Sequence, residues 1–254
     1  MTPKNRREAI LDLARHTREL RVDEIAERFG VSRETVRRDL AELDARQLLR
    51  RVHGGAEPAR AGIEAPFSQR KAENAGAKAT IGRVAAALFE QSDAILIDTG
   101  STTEAFATAL AARGRFSIIT NSSGVAWNLH NAESPSRVYL LGGEFKGDTG
   151  GSVGSVTIDQ IGRFRADHAV LTIGGIDGVG GCMDFDVEEA MVARAMIAQA
   201  KEVTVIADGS KLGRVAMYQV CDLSAVTRLV TDRKPDQALA TALHLSGVEV
   251  VLAE

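Results

Sequence analysis

The stretch VDEIAERFGVSRETVRRDLAEL, residues 22–43, decides the fold of the N-terminal part of the chain. Its first half repeats apolar residues at helical spacing, at Val22, Ile25, Ala26 and Phe29. Gly30 follows where a left-handed helix C-cap is expected, and Ser32 is a good N-cap for a next helix. Two short helices joined by a tight turn are typical of a helix-turn-helix, whose second helix enters the major groove of DNA.

The flanking residues complete this pattern. Residues 6–16 predict a first helix, and Leu48, Leu49 and Val52, followed by His53-Gly54-Gly55, predict a β-hairpin of the kind called a wing. Residues 54–68 contain Gly, Ala and Pro with few large apolar side chains, as linkers do. We therefore predict a winged helix-turn-helix at 1–57, a linker at 58–69 and a second domain at 70–254.

Arginines cluster on the second helix of the motif. Val36, Leu40 and Leu43 share its inner side, which leaves the arginines outward. Such helices read base edges near their N-terminal end, and Arg pairs bidentately with guanine. A solvated charged face is the alternative, but the preceding helix, Gly turn and Ser cap favour DNA contact. The candidate DNA-binding residues are Ser32, Arg33, Thr35, Arg37, Arg38, and, beside the wing, Arg50 and Arg51.

Composition excludes several classes of protein. Residues 1–60 hold 14 basic and 11 acidic residues, whereas the rest holds 17 and 23, so a basic head precedes an acidic body. Cys182 and Cys221 lie far apart and form no CxxC, which argues against a disulfide framework and fits a reducing cytoplasm. No apolar run approaches the roughly 20 residues of a membrane span. The charged N-terminal stretch also predicts no signal peptide.

The second domain alternates short apolar runs with helical segments, which predicts an α/β fold with a mostly parallel sheet covered on both faces. The runs are 94–97, 117–120, 138–141, 169–173, 203–207, 228–231 and 248–252. The helices are expected near 70–88, 103–112, 123–130, 155–163, 187–200 and 235–244.

Small and polar residues follow several of these strands. The sequence DTGSTT, 98–103, comes directly after a strand and opens a helix, where backbone N–H groups hold anions. A Ser/Thr N-cap with a Gly turn is the equally simple alternative. Because strand ends of a parallel sheet share one edge, the end at 208–211 would meet it there. Lys211 would then supply a cation for a phosphate, or it is an exposed loop lysine.

Further strand ends are expected in the same crevice. Asp184 and Asp208 would accept hydrogen bonds from sugar hydroxyls, and 174–175 adds another glycine-rich strand end. A plain turn is favoured over a second anion loop at 150–154. The candidate effector-binding residues are Asp98, Thr99, Gly100, Ser101, Thr102, Thr103, Asn121, Gly142, Gly143, Asp184, Asp208 and Lys211.

Four carboxylates stand in the segment 184–189. Acids at the start of a helix are favoured by its dipole, and a catalytic pair is the alternative. The five histidines are scattered without metal-ligand spacing, and no GxSxG, Walker A or GxGxxG motif occurs. We predict no metal and no cofactor.

Over nearly its full length the chain resembles the DeoR family of bacterial transcriptional regulators. The head carries the motif quoted above and LLRRVHGG at 48–55. The body carries IDTGSTTEA (97–105), ITN (119–121), LLGGEF (140–145), GGID (174–177), DFDVEEA (184–190) and ADGSKLGR (207–214). The resemblance implies a sensor domain that looks like ribose-5-phosphate isomerase and binds a phosphorylated sugar or polyol.

Within the family, segments at 66–72, 148–154, 163–177, 183–189 and 210–217 look most like regulators of glycerol-3-phosphate utilisation. The resemblance therefore implies a repressor of a carbohydrate or polyol catabolic operon, with glycerol 3-phosphate as a candidate effector. It would bind double-stranded operator DNA as a homodimer or homotetramer and would not be an enzyme. The alternatives are a phosphosugar isomerase with a DNA-binding head, and a transcriptional activator.

Overall fold

The computed structural model describes residues 2–17, 20–45, 49–52, 54–58 and 64–254. The chain divides into two compact units, Met1–Ala65 and Pro66–Glu254. Part of the predicted linker, 59–63, lies outside the described residues, and its last three residues belong to a helix that begins at Phe67. The exact domain boundaries stay a prediction.

The N-terminal unit is a winged helix-turn-helix, as predicted. Its three helices share one core, in which Ile10, Ile25 and Leu40 are at most 2% exposed. Its elements are α1 (Pro3–His16), β1 (Leu20–Arg21), α2 (Val22–Phe29), α3 (Arg33–Ala45), β2 (Leu49–Val52) and β3 (Gly55–Pro58).

The turn between α2 and α3 has the chemistry that the sequence predicts. Gly30 adopts the left-handed conformation at φ 61°, and its N–H donates to the carbonyls of Ala26 and Glu27. The Ser32 hydroxyl accepts a 3.1 Å hydrogen bond from the Thr35 N–H and so caps α3. The two caps therefore define where α2 ends and where α3 begins.

The wing is an antiparallel sheet with strand order β1–β3–β2. Gly55 is required there, because a Cβ at this position would lie 2.0 Å from the Leu20 carbonyl oxygen. The predicted hairpin is therefore present, although Leu48 and His53 lie outside the described residues.

The C-terminal unit alternates strands and helices along the chain. Its helices are α4 (Phe67–Ala72), α5 (Ala75–Ala86), α6 (Ser101–Ala111), α7 (Ser123–Asn131), α8 (Gly154–Ile161), α9 (Val187–Gln199) and α10 (Gln237–Leu245), with a 3-10 turn at Leu223–Ala225. Its strands are β4 (Ala94–Ile97), β5 (Ser117–Thr120), β6 (Arg137–Leu140), β7 (Glu144–Lys146), β8 (Gly151–Val153), β9 (Ala166–Leu171), β10 (Gly175–Asp177), β11 (Gly181–Asp184), β12 (Ala200–Ile206), β13 (Tyr218–Cys221), β14 (Arg228–Thr231) and β15 (Glu249–Leu252).

A seven-stranded sheet with order β15–β14–β12–β9–β4–β5–β6 organises this unit. Every neighbouring pair in it is parallel, and each predicted apolar run supplies one strand. Alternate residues serve opposite cores: Ile95 packs with Phe106 of α6 on one face, and Leu96 with Met196 of α9 on the other. The mostly parallel sheet with helices on both faces is confirmed.

The strand order reverses between β4 and β9. From β4 the chain proceeds outward through β5 to β6, then returns to β9 and proceeds through β12 and β14 to β15. In open α/β sheets, ligands bind outside the carboxyl ends of the strands at such a switch point. The ends of β4 and β9 are therefore the place where a site is expected on topology alone.

Some elements were not predicted. Strands β7 and β8 form a hairpin, and β10, β11 and β13 form a separate antiparallel sheet. The segment 150–154 contributes β8 and the first residue of α8. The helix predicted at 70–88 is broken into α4 and α5 at Asn74, which has a positive φ of 54°. Within the described residues, no helix combines the length and apolar character needed to cross a membrane.

Candidate functional site

The outer face of α3 presents three arginines to solvent. The side chains of Arg33, Arg37 and Arg38 are 67%, 60% and 82% exposed. Arg33 pairs with Asp23 at 2.8 Å, whereas the other two stand 3.8 Å from the Glu34 carboxylate. Exposed ion pairs of this kind contribute little stability, so a phosphate or a guanine edge can replace the carboxylates.

Other predicted DNA-contact residues have different surroundings. The hydroxyls of Ser32 and Thr35 lie 2.9 Å apart, so both already take part in the cap of α3. Arg51 is exposed on β2, and its backbone N–H donates to Asp44 at 2.9 Å. Arg50 lies on the same strand, and its side chain is outside the described part of the structure.

A buried ion pair holds α3 against α1. Arg6 Nε lies 2.6 Å from Asp39 Oδ2, with the two side chains only 8% and 5% exposed. Arg7 forms a second pair with Glu42. Sequence reasoning missed both, although Asp39 precedes the buried Leu40 and was a visible charge beside the core face of α3. These two ion pairs thus hold α3, which carries the exposed arginines, in place against α1.

At the switch point, the predicted anion loop 98–103 connects β4 to α6. The Thr99 N–H donates to Asp98 at 2.7 Å, and the Thr103 hydroxyl donates to the Gly100 carbonyl at 2.9 Å. A Cβ on Gly100 would lie 2.2 Å from Thr172 Cγ2, so the close approach to the end of β9 requires glycine. The Thr99 hydroxyl is buried and has no hydrogen-bond partner among the described residues.

Three carboxylates, one buried and two half-buried, lie near this loop. Burial raises the pKa of Asp98 well above its ordinary value, and the nearby charges of Glu189 and Asp184 raise it further. The nearby Asn121 side chain acts in the opposite direction on the pKa of Asp98, and it donates at 3.1 Å to the Ser152 carbonyl. The structure therefore brings together predicted residues from β4, β5 and β11.

Glu189, which sequence reasoning did not select, belongs to the same group. Burial raises its pKa to about 7, and Asp184 contributes to the same direction. Asp186, in contrast, caps α9 by accepting hydrogen bonds from the N–H groups of Glu188 and Glu189 at 2.8 and 3.2 Å. The acidic segment therefore contains a helix cap, Asp186, and two half-buried carboxylates, Asp184 and Glu189, whose charges act on Asp98.

A group of cations surrounds Asp208 at the end of β12. Lys78 of α5 is 5% exposed and donates to the Arg70 carbonyl. Burial lowers the pKa of Lys78, Asp208 raises it, and the nearby charges of Lys211 and Arg70 lower it. We call Lys78, Lys211 and Arg70 the cation group.

Asp208 neutralises part of this charge. Burial alone raises its pKa, but hydrogen bonds from Ser210 and the charges of Lys78 and Lys211 leave the pKa below its ordinary value. Its Oδ1 accepts from Asn74 Nδ2 and the Ser210 N–H, both at 3.0 Å. These contacts already engage one carboxylate oxygen, so Asp208 positions the loop that carries Lys211.

The glycines after β6 pack against α8. A Cβ on Gly143 would lie 2.0 Å from the Thr157 hydroxyl, and that hydroxyl donates to the Gly142 carbonyl at 2.8 Å. The Gly142 N–H donates to Gln160 at 3.1 Å. Close approach to Thr157 and to the Val153 carbonyl explains Gly143 without a ligand, whereas a Cβ on Gly142 would meet only Gln160, at 3.5 Å.

An open cavity of about 500 Å³ lies between α8 and α9. It contains no predicted strand-end residue, so the cavity and the charged groups at the strand ends are two separate candidate sites. The strand ends are the better candidate, because buried charges and an unpartnered hydroxyl are costly unless something binds them. The cavity is lined by Gly154, Ser155, Ile158, Asp159, Glu188 and Met191.

In the described residues no group of three or more His, Cys, Asp or Glu side chains could hold a metal ion.

Comparisons with known proteins agree with both halves of this structure. Residues 6–60 match the DeoR-like helix-turn-helix domain, and residues 73–233 match the DeoR C terminal sensor domain. The chain belongs to the DeoR family. The matches cover both the arginine face of α3 and the strand ends at the switch point.

Several DeoR-type relatives are similar over their whole length. The glycerol-3-phosphate regulon repressor of Escherichia coli is 35% identical, over 99% of this chain and 100% of its own. The transcriptional repressor CsqR of E. coli is 33% identical over 100% and 97%, and GlcR of Bacillus subtilis is 34% identical over 100% and 98%. All three are named as repressors.

Solved structures give a weaker likeness. Ribose 5-phosphate isomerase A from Methanocaldococcus jannaschii shows 20% identity over 55% of each chain, with a TM-score of 0.38. The translation initiation factor eIF-2B from Pyrococcus horikoshii shows 16% identity over 85% of this chain and 69% of its own, with a TM-score of 0.42. At these scores neither likeness says anything about what the DeoR-family chain does.

Proposed function

We propose that this protein is a transcriptional repressor whose winged helix-turn-helix binds double-stranded operator DNA. The exposed arginine face of α3 carries this proposal, because it is the part of a helix-turn-helix that enters the major groove. The full-length relatives named as repressors support the same function. Arg51 stands on the wing, where it is available to a phosphate.

We further propose that the C-terminal unit binds a phosphorylated sugar or polyol at the strand ends. The cation group supports this, because Lys78 is buried with only partial neutralisation and an anion would stabilise its charge. The loop 99–103 at the switch point supplies a helix N-terminus, which favours phosphate. Asp98, Asp184 and Asn121 would then face the hydroxyl groups.

Glycerol 3-phosphate is the first effector to test, since one relative is named the glycerol-3-phosphate regulon repressor. Binding must favour the released form over the DNA-bound form, with a coupling free energy of about 1–3 kcal/mol in typical systems. An effector with equal affinity for both forms would change nothing.

DNA binding is tested by fluorescence anisotropy with the region upstream of the protein's own gene. We expect the triple substitution of Arg33, Arg37 and Arg38 by Ala to remove specific binding. Arg163→Ala is the matched control, because Arg163 is an exposed arginine that follows α8 and pairs with Asp159 at 2.7 Å. Equal loss in both variants, or none in the triple variant, would refute the assignment.

Effector binding is tested by thermal shift with a panel of sugar and polyol phosphates, since a ligand of the folded state raises its apparent stability. We expect a shift in the wild type that is lost in Lys211→Ala and Lys78→Met. Lys201→Ala is the control, because Lys201 is 78% exposed and pairs with Asp167. A shift that survives both substitutions would place the phosphate elsewhere.

We also propose a homodimer or homotetramer, since paired helix-turn-helix heads read paired half-sites. Large apolar side chains are exposed on the C-terminal unit, among them Phe145 at 61% and Trp127 at 63%. Light scattering after size-exclusion chromatography measures the mass. A monomer at micromolar concentration that still binds its operator tightly would contradict the proposal.

An isomerase is the rival function, and Glu189 favours it, because a carboxylate with a pKa about 7 suits a general base. Turnover of ribose 5-phosphate measures this directly. We expect none, because the full-length relatives are named as repressors. A reporter assay in a deletion strain separates repression, which we expect, from activation.

A further inference from the structure

The two cysteines of the chain are neighbours in the fold. Cys182 lies on β11 and Cys221 on β13, and the antiparallel register places them directly opposite each other. Both are free thiols. Their separation in sequence hid this pairing, because β11 and β13 meet only in the small sheet that was not predicted.

The geometry of this pair suits a disulfide. Residues opposite each other in an antiparallel pair have Cα atoms about 4.5–5.5 Å apart, within the 4.4–6.8 Å that disulfides span. Side chains of such a pair point to the same face of the sheet. Cys182 belongs to a buried hydrophobic cluster and Cys221 packs against the same cluster, so both side chains lie on one side of the small sheet.

The two thiols have unequal environments. Cys182 is fully buried in the core, whereas Cys221 is partly exposed at the end of its strand. The adjacent Cys182 thiol and the nearby Arg194 guanidinium lower the pKa of Cys221, against burial and Asp222, which raise it. The adjacent Cys221 thiol and complete burial raise the pKa of Cys182. Cys221 is thus the reactive member and Cys182 the resolving one.

We propose that Cys221 and Cys182 form a reversible oxidation site that closes to a disulfide between β11 and β13 when the protein meets a peroxide. The Cys221 thiolate attacks one peroxide oxygen, the O–O bond breaks, and the hydroxide that leaves is protonated to water. The Cys182 sulfur then attacks the resulting sulfenic acid, an S–S bond forms, the S–O bond breaks and a second water leaves. Two thiols are oxidised, one peroxide is reduced, and a thiol reductant reverses the reaction.

The position gives this site a direct structural consequence. Strand β11 continues from Cys182 through Met183 to Asp184, which interacts with Asp98 at the strand ends. The ladder shifts register immediately after Cys182, so this strand is irregular where it approaches Asp184. A covalent link at Cys182 would fix the strand at that irregularity.

The test uses the full-length protein treated with hydrogen peroxide, followed by alkylation under denaturing conditions and peptide mass spectrometry. We expect one intramolecular disulfide that joins the two cysteine peptides, restored to two alkylated thiols by dithiothreitol. A non-reducing gel must show a monomeric chain. Two alkylated thiols after oxidation, or a disulfide between chains, would overturn the proposal.

Single variants test the order of the steps. Cys182→Ala keeps the reactive thiol but removes the resolving one, so we expect a sulfenic acid on Cys221 that dimedone traps. Cys221→Ser leaves a buried thiol, and we expect no trapped sulfenic acid at the same peroxide concentration. Dimedone labelling of Cys182 in that variant would contradict the assigned order, and the wild-type peptide map decides the disulfide itself if a variant fails to fold.

Discussion

The two units of this protein hold their functional groups in opposite environments. In the N-terminal unit, the arginines of α3 are 60–82% exposed, and their partners are weakly held carboxylates. In the C-terminal unit, Lys78, Asp98 and Asp208 are at least 94% buried. Exposed charges bind through salt-dependent attraction, whereas buried charges bind through changes in desolvation and protonation. DNA affinity should therefore fall as ionic strength rises. The stability of the C-terminal unit, in contrast, should depend on pH.

The Arg6–Asp39 pair is the place where the N-terminal unit resembles the C-terminal one. We expect Asp39→Ala to lower the free energy of unfolding of the N-terminal unit by about 3–5 kcal/mol, because it leaves a buried guanidinium unpaired. Chemical denaturation measures the effect. Asp159→Ala, which breaks an exposed pair, is the control. A cost of less than about 1 kcal/mol for Asp39→Ala would show that this pair does not hold α3 in place.

The next largest effect concerns the switch point. Gly100→Ala should destabilise the C-terminal unit by about 1–3 kcal/mol, because the added Cβ would lie 2.2 Å from Thr172 Cγ2. Adding Thr172→Ser removes that methyl group and should recover most of the loss. Thermal unfolding of the single and double variants measures both. An unchanged melting temperature for Gly100→Ala would mean that the loop is not packed as tightly as described.

Glu189 tests whether the C-terminal unit responds to pH. Its pKa is about 7 when folded and near 4.5 when unfolded, so the folded state holds more protons between these values. Stability therefore falls as pH rises through this window. We expect Glu189→Gln to raise the free energy of unfolding by about 1–2 kcal/mol at pH 8, less than the full shift because the side chain is partly exposed. At pH 4 the gain should vanish, and an equal gain at both pH values would contradict this cause.

The smallest effect on stability should come from the exposed ion pairs of α3. Asp23→Ala releases Arg33 and should change the free energy of unfolding by less than about 0.5 kcal/mol. Affinity for DNA should rise, because an acidic group that repels phosphate is removed. Anisotropy titrations at two salt concentrations measure this. A fall in affinity would mean that Asp23 orients Arg33 for its contact.

The N-terminal unit could be predicted from sequence because its site lies on one continuous element. The spacing of Val36, Leu40 and Leu43 fixes the buried side of α3, and that alone turns the arginines outward. Gly30 and Ser32 indicate the turn because a glycine C-cap and a serine N-cap are local backbone preferences that do not depend on distant residues. The Arg6–Asp39 pair could not be predicted in this way, because it joins two helices that are far apart in the sequence.

The C-terminal site was only partly predictable because several elements build it. Strand periodicity places the loop 98–103 and Lys211 at one sheet edge. The local sequence does not show, however, that Lys78 of α5 and Glu189 of α9 lie near that edge. Lys78 did leave a signal, since it shares a helical face with the buried Ile81 and Ala85. A lysine on an apolar face indicates a buried charge. The pairing of Cys182 with Cys221 left none, because register between distant strands is set by tertiary packing.

We expect the two units to work as one switch, and the decisive measurement is operator affinity with and without effector. We expect a saturating sugar or polyol phosphate to weaken operator binding of the wild type by roughly 5- to 150-fold. In Lys211→Ala, affinity without effector should be unchanged and the response should disappear. A bound effector that leaves wild-type operator affinity unaltered would show that the units are not coupled, and an undiminished response in Lys211→Ala would show that Lys211 does not hold the effector.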